Sequence, residues 1–472
     1  MVFSSIPFLF YFLPLFLLIY YIVPFKFKNI ILLIFSLIFY AWGEPVYIVL
    51  MIFSSVVDYT NGLLIEKNFT NRKRKQIFMI ASIIINVLLL GFFKYSDFII
   101  ININNIFNLS IPLLKLGLPI GISFFTFQTM SYSIDVYRGT VKAEHKFINF
   151  MTYVSMFPQL IAGPIVRYEE VGVQLHKRDI NFNSFSSGLI RFTHGLFKKV
   201  LIANNVGYLW SVISTTPANE ISFLTAWIGI IAFTFQIYFD FSGYSDMAIG
   251  MGRMLGFSYP ENFNYPYVAS SITDFWRRWH ISLFTWFKDY VYIPLGGSRV
   301  RKIIIIRNLM IVWLLTGIWH GAAWNFILWG LYYGFILILE KFIFQNFIKK
   351  WPLYFKHIYS LFFIITGWLI FAFDDINSLA NYASVMFGLS GTKFIDGSSV
   401  YFIINNITIL TVAIIFSLPT YPYILSLFKK SKIKKYNYFI LGILLIIYLF
   451  LLLVTISYLV SDTYNPFLYF RF

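Results

Sequence analysis

Runs of mostly apolar residues recur along this chain almost end to end, at about 5–23, 30–42, 46–64, 77–93, 111–134, 147–165, 188–213, 221–239, 303–319, 322–340, 357–373, 400–418 and 438–459. A helix needs roughly 20 such residues to span a bilayer. Several runs are short or polar, so the pattern predicts an all-α polytopic membrane protein with about 11 transmembrane helices, in a range of roughly 10 to 13. The first run has neither a basic leader nor a small-residue cleavage site and reads as a retained helix. An ordinary soluble domain is excluded: 12% of residues are charged and 59% hydrophobic, against about 25% charged in a typical globular chain. The 56 Phe and 33 Tyr suit lipid contact and interfacial belts.

Basic residues set the expected orientation. Lys26 and Lys28 follow the first run, and Lys67, Arg72, Lys73, Arg74 and Lys75 follow the third, whereas Gly43-Glu44-Pro45 has no basic residue. The positive-inside rule then places the N-terminus outside. The clusters Arg299 to Arg307, Lys341 to Lys356 and Lys429 to Lys435 fall on the cytoplasmic side, and the last run leaves Ser461 to Phe472 outside. The net charge of +17 is mostly this topological signal; binding of an acidic polymer or a nucleotide-containing donor is the alternative. No nucleic-acid partner is expected.

Between Phe233 and Arg301 the pattern breaks. The stretch carries Asp240, Asp246, Arg253, Glu261, Asp274, Arg277, Arg278, His280, Lys288 and Asp289, and each charge facing hydrocarbon costs at least about 2.5–3.5 kcal/mol. These residues must line a cavity or lie at an interface. Pro260, Pro266, Pro294 and Gly296-Gly297 predict irregular backbone. Asp274 and Arg278 are spaced to pair on one helix face. An interfacial helix with Trp276, Trp279 and Trp286 at headgroup level accounts for the arginines but not for His280, whose neutral ring still requires two hydrogen-bond partners.

A second polar intrusion, Leu315 to Asn325, sets His320 between two strongly apolar runs. Gly317 and Gly321, repeated by Gly330 and Gly334, are spaced for close helix approach. An intramembrane histidine is a functional candidate by default, against the plainer account of a ring bonded to a neighbouring carbonyl. His145, His176 and His357 fall in polar or basic loops and are expected to be solvated; His194 reads as a helix-face residue. No GxSxG elbow, P-loop, HExxH or zinc spacing is present, and the chain has no cysteine, so neither a metal site nor thiol chemistry is expected. What remains is imidazole with nearby Asn and Trp, the minimal equipment for deprotonating a hydroxyl during acyl transfer. Burial disfavours the imidazolium and keeps such a ring available as a base.

The segments Pro119-Ile120-Gly121-Ile122-Ser123-Phe124-Phe125, Phe157 to Ile165, Tyr238 to Asp246, Asp274 to His280, Tyr292 to Gly297 and Gly317 to Gly321 together resemble the membrane-bound O-acyltransferase (MBOAT) family, in its bacterial alginate O-acetyltransferase-like branch. The resemblance implies one integral-membrane domain over 1–472, with N-terminal helices in 1–110, a catalytic core in 111–345 and C-terminal helices and tail in 346–472. Short re-entrant helices would surround a central funnel or tunnel. It implies that His320 is catalytic and that His280 lies on the cytoplasmic side of the tunnel. Arg277, Arg278, Trp276, Trp324, Asn325 and Asp246 are candidates for lining the donor path.

By the same resemblance, an acyl group from a thioester donor, acetyl-CoA or an acyl carrier, crosses the bacterial plasma membrane through the protein. An extracytoplasmic partner resembling SGNH hydrolases then commonly places it on polysaccharide. No tightly bound cofactor is implied. The aromatic tail Asn465 to Phe472 is either an interfacial anchor or a strap in which Tyr469 relays the acyl group. Two alternatives stay open: D-alanyl transfer to teichoic acid, and a transporter or export protein without chemistry, although no internal repeat favours the latter.

Overall fold

The structure, a computed structural model, describes residues 2–161, 163–420, 437–461 and 464–468. Every regular element among the described residues is helical. Among the described residues, eight helices are long and apolar enough to cross a membrane: Phe25–Gly43, Ile48–Lys67, Arg72–Phe107, Phe223–Met254, Lys302–His320, Trp324–Lys350, Leu353–Ala372 and Gly397–Ser417. Phe8–Ile22 and Leu445–Ser461 are shorter apolar helices. Of the remaining expected spans, run 188–213 lies in unbroken helical chain from Phe182 to Thr215, and two are divided by local chemistry. Run 111–134 is helical only from Ile122 to Arg138, between Gly121 and Gly139 in left-handed conformations, φ 75° and 79°. Run 147–165 stops at Ser155, where Met156 turns extended ahead of Pro158. The basic cluster Lys429 to Lys435 lies outside the described residues.

The described residues form two compact units, 2–192 with Tyr244–Glu261, and Thr193–Gly243 with Asn262–Leu468. In the first, the helix Arg72–Phe107 begins at Asn71, whose side chain accepts the Arg74 N–H at 3.1 Å. It ends where Asn108 turns left-handed. Inside this unit the buried Asp58 carboxylate accepts from Ser82, from Asn86 at 2.7 Å and from Ser133 at 3.1 Å, tying three helices together through polar groups.

In the second unit, Lys302–His320 packs against Trp324–Leu339, joined by Gly321-Ala322-Ala323. A Cβ on Gly317 would stand 2.3 Å from the Phe326 carbonyl oxygen, and one on Gly330 2.4 Å from that of Trp313. The helices therefore touch backbone to backbone, and the glycine spacing in both runs has its physical cause there.

The polar stretch differs from expectation in where it breaks. Helix Phe223–Met254 continues through Asp240 and Asp246, because the first proline comes only at 260. The chain leaves the helix at Leu255-Gly256, with Gly256 at φ 84°, and stays irregular to Tyr265.

Candidate functional site

The second unit gathers a cluster of tryptophans about His280 and His320. Helix Ile272–Trp276 starts at Ser271, whose side chain accepts the Asp274 N–H, and breaks after one turn. His280 itself sits in a left-handed conformation, φ 45°. A non-glycine residue held there is strained, and such strain clusters at functional sites.

His280 is about 1% exposed and has a definite tautomer. Asn262 Oδ1 accepts the backbone N–H of Ser282 at 3.3 Å and the Ser282 hydroxyl at 2.9 Å, which identifies it as the amide oxygen. His280 Nδ1, 3.0 Å from the same oxygen, must therefore donate. Nε2 is then the unprotonated nitrogen, buried and without a hydrogen-bond partner among the described residues. Burial pushes this imidazole well below the ordinary histidine value, to about 3, by disfavouring its charged form.

His320 ends its helix at 2% exposure. Its ring is met edge-on by Trp319 at 4.9 Å, Trp329 at 4.9 Å and Phe371 at 5.3 Å between centroids. Trp319 also lies 5.9 Å from the His280 ring, so one indole bridges the two histidines. Trp276 extends the cage, packing on Trp313, Trp329 and Tyr333 at 4.6, 5.5 and 4.9 Å. The indole N–H groups of Trp276, Trp329 and Trp368 and the Tyr333 hydroxyl are buried without partners among the described residues. Buried polar groups are normally satisfied, so this is an apolar cage with spare donors beside the His320 ring. Such a site can hold and polarise an oxygen-bearing substrate.

The other candidates separate. Asn325 is buried and donates to the Phe371 carbonyl at 3.3 Å, fixing the wall behind His320. Arg278 pairs with Asp274 at 2.9 Å, at the expected i,i+4 spacing, while Arg277 is exposed. Trp324 is 49% exposed at the start of its helix. Asp246 belongs to the first unit, where Arg191 binds it at 2.6 Å. Tyr469 lies outside the described residues.

Two readings are corrected. Trp276, Trp279 and Trp286 are all buried in the protein rather than turned outward, each packed on another aromatic ring: Trp276 on Trp329, Trp279 on Trp368 and Trp286 on Tyr290. Of the loop histidines, His145 and His176 are exposed as expected, each paired with a glutamate, whereas His357 is a half-buried residue of helix Leu353–Ala372. His145 meets Glu66 at 2.8 Å, His176 meets Glu144 at 2.7 Å, and His357 Nδ1 is 3.1 Å from the Ala269 carbonyl. His194 is a helix residue that bonds the Tyr448 hydroxyl.

Glu340 is the functional residue that sequence reasoning missed. Buried at the end of the Trp324–Leu339 helix, it accepts the backbone N–H of Ile272 at 2.6 Å, and from Thr273 the backbone N–H at 2.9 Å and the hydroxyl at 2.7 Å. It thus caps, from a distant element, the short helix that carries Trp276 into the cage. The available signal was a lone carboxylate closing an apolar run. Glu340→Ala strands three donors, the Ile272 N–H buried and the two of Thr273 half-buried, a buried one being worth about 1–3 kcal/mol. It is expected to cost about 3 kcal/mol or more, read as a lowered thermal midpoint in detergent, with Glu340→Gln losing less because an amide oxygen still accepts. Equal midpoints for wild type and Glu340→Ala would contradict the capping role.

Among the described residues, no group of three or more His, Asp or Glu side chains is arranged to hold a metal ion.

The family model for MBOAT, the membrane-bound O-acyltransferase family, matches residues 46–382, which include both histidines, Glu340 and the cage. Over 395 residues the chain is 41% identical to the probable alginate O-acetylase AlgI of Pseudomonas aeruginosa, covering 82% of this chain and 75% of that protein. It is 38% identical over 429 residues to the peptidoglycan O-acetyltransferase of Helicobacter pylori, covering 83% and 81%. The teichoic acid D-alanyltransferase of Bacillus subtilis is 28% identical over 243 residues, covering 49% and 60%.

Proposed function

The chain belongs to the membrane-bound O-acyltransferase family, and from that premise we propose that it moves an acetyl group from a cytoplasmic thioester donor to a hydroxyl of an exported or cell-surface polysaccharide. It is a multi-pass membrane acyltransferase; the acceptor class comes from relatives that act on alginate and on peptidoglycan. The observation that carries the chemistry is the pairing of His280 and His320 through Trp319, in a cage where the indole N–H groups of Trp276, Trp329 and Trp368 have no partner among the described residues.

In this reading His320 takes the proton of the acceptor hydroxyl, or draws on it through a hydrogen bond, as the oxygen attacks the thioester carbonyl. The new ester forms as the carbon–sulfur bond breaks, and the thiol leaves with a proton. Cage donors oppose the charge that develops on the carbonyl oxygen, where a dry site makes each bond count most. His280 holds its tautomer for contact with the donor, with Trp276, Arg277 and Arg278 shaping the approach and Asn325 and Trp324 supporting His320. Basic clusters on alternate loops support a bacterial plasma-membrane setting with both termini outside. An extracytoplasmic partner resembling SGNH hydrolases would complete delivery, and Tyr469 is the candidate relay.

Deleting the gene and releasing esters from the envelope and exopolysaccharide with mild base tests the reading. Ester-linked acetate is expected to fall while ester-linked D-alanine is unchanged. Loss of D-alanine alone would move the chain to the teichoic acid reaction, and loss of neither would overturn both.

A further inference from the structure

The proposed chemistry leaves one buried charge pair unused. Lys199 and Asp240 meet at 2.7 Å, each about 1% exposed, deep in the second unit. A buried ion pair is sustained only when its remaining protons and lone pairs also find partners. Here one distant segment supplies them. The Lys199 ammonium donates to the Pro466 carbonyl, and the Leu468 N–H donates to Asp240 Oδ2 at 2.8 Å. Nearby, Asn204 donates to Asn465 Oδ1 at 3.2 Å, and the Tyr464 ring meets Tyr208 edge-on at 5.8 Å.

The two groups read by the ion pair are both main-chain and flank Phe467 in sequence, and Phe467 is buried. Lys199 and Asp240 thus do with charges what a sheet edge does for an added strand: they bind the backbone and leave the side chain to a pocket. Pro466 fits this slot because it has no N–H to bury unpaired.

We propose that Lys199 and Asp240 form a peptide clamp for the Tyr464–Leu468 segment, and that they are positioning residues which fix Leu468 on helix Phe223–Met254. The consequence for activity rests on the acyltransferase reading; the clamp itself does not. It also gives Asp240, within the Tyr238–Asp246 motif, a task distinct from that of Asp246.

The chain has no cysteine, so single reporters can be placed at will in the full-length protein in detergent. Leu468→Cys is expected to react slowly with N-ethylmaleimide. In the Lys199→Met/Asp240→Leu background, which removes both charges and leaves neither stranded, it should react about tenfold faster or more. Exposed Leu389→Cys should react fast and buried Val385→Cys slowly in both backgrounds. An unchanged Leu468→Cys rate overturns the clamp. Should Val385→Cys become reactive in the double variant, Asn204→Ala decides instead: faster labelling supports the clamp and an unchanged rate overturns it.

In cells, polymer-bound acetate is expected to fall about tenfold in the double variant at unchanged protein level, and retained acetate overturns the positioning role. His320→Ala, which removes the chemistry, should leave labelling as in the parent. If the deletion strain itself retains its ester-linked acetate, the acyltransferase reading has failed while the labelling result stands.

Discussion

His320→Ala is expected to lower acetyl transfer by about 10²- to 10⁴-fold, the range that a positioned acid or base contributes. The imidazole is the titratable group at the centre of the cage, and Trp319, Trp329 and Phe371 hold its plane by edge contacts on several sides. Trp329 still packs on Phe371 and Trp368 without the imidazole, so protein level in the membrane is expected to hold while polymer acetate disappears. His320→Gln separates packing from proton transfer: it refills much of the volume and restores a hydrogen-bonding group, but cannot accept the proton. Both variants should therefore be inactive. If His320→Gln kept wild-type acetylation, the base would have to lie elsewhere, and His280 Nε2, already unprotonated and buried, would be the next candidate.

Gly317→Val is expected to have the largest effect on folding. Its first added carbon would fall 2.3 Å from the Phe326 carbonyl oxygen and 3.2 Å from the Gly330 Cα. Both are backbone atoms of the neighbouring helix, so no side-chain rotation relieves the clash. Overpacking of a rigid contact costs about 1–3 kcal/mol and sometimes more, and here relief requires separating the two helices that carry His320 and Asn325. Folded yield and thermal midpoint should both drop sharply. Gly91→Ala is the control. Nothing lies within 4 Å of its Cβ position, and alanine in a helix interior gains up to about 1 kcal/mol over glycine. Matching midpoints for Gly317→Val and Gly91→Ala would show that the helices do not touch as described.

The apolar runs were legible because hydropathy is a property of a window: it identified Ile48–Lys67, Lys302–His320 and Leu353–Ala372 without reference to any neighbour. The His320 intrusion was legible for a related reason, since a polar residue between two such runs has no cheap place to go. The irregular backbone predicted from Pro260, Pro266, Pro294 and Gly296-Gly297 begins only at Leu255-Gly256, so Asp240 and Asp246 stay on a helix that no proline interrupts. Trp276, Trp279 and Trp286 were read as an interfacial belt because an aromatic residue beside arginine has that signature in sequence. Only the fold shows that the rings pack on Trp329, Trp368 and Tyr290.

The sequence by itself therefore determined the solvent, the helical class, the family resemblance and the two histidines. Each is written in local composition or in short contiguous motifs, and local propensity needs no partner. The tertiary structure alone decided that one tryptophan bridges His280 and His320, that Asn262 fixes the His280 tautomer, that Glu340 caps a helix about 70 residues away, and that Lys199 and Asp240 hold a segment more than 200 residues downstream. These are pairings between distant positions. Their energies arise only when burial removes water and leaves each polar group to whatever the fold has placed beside it.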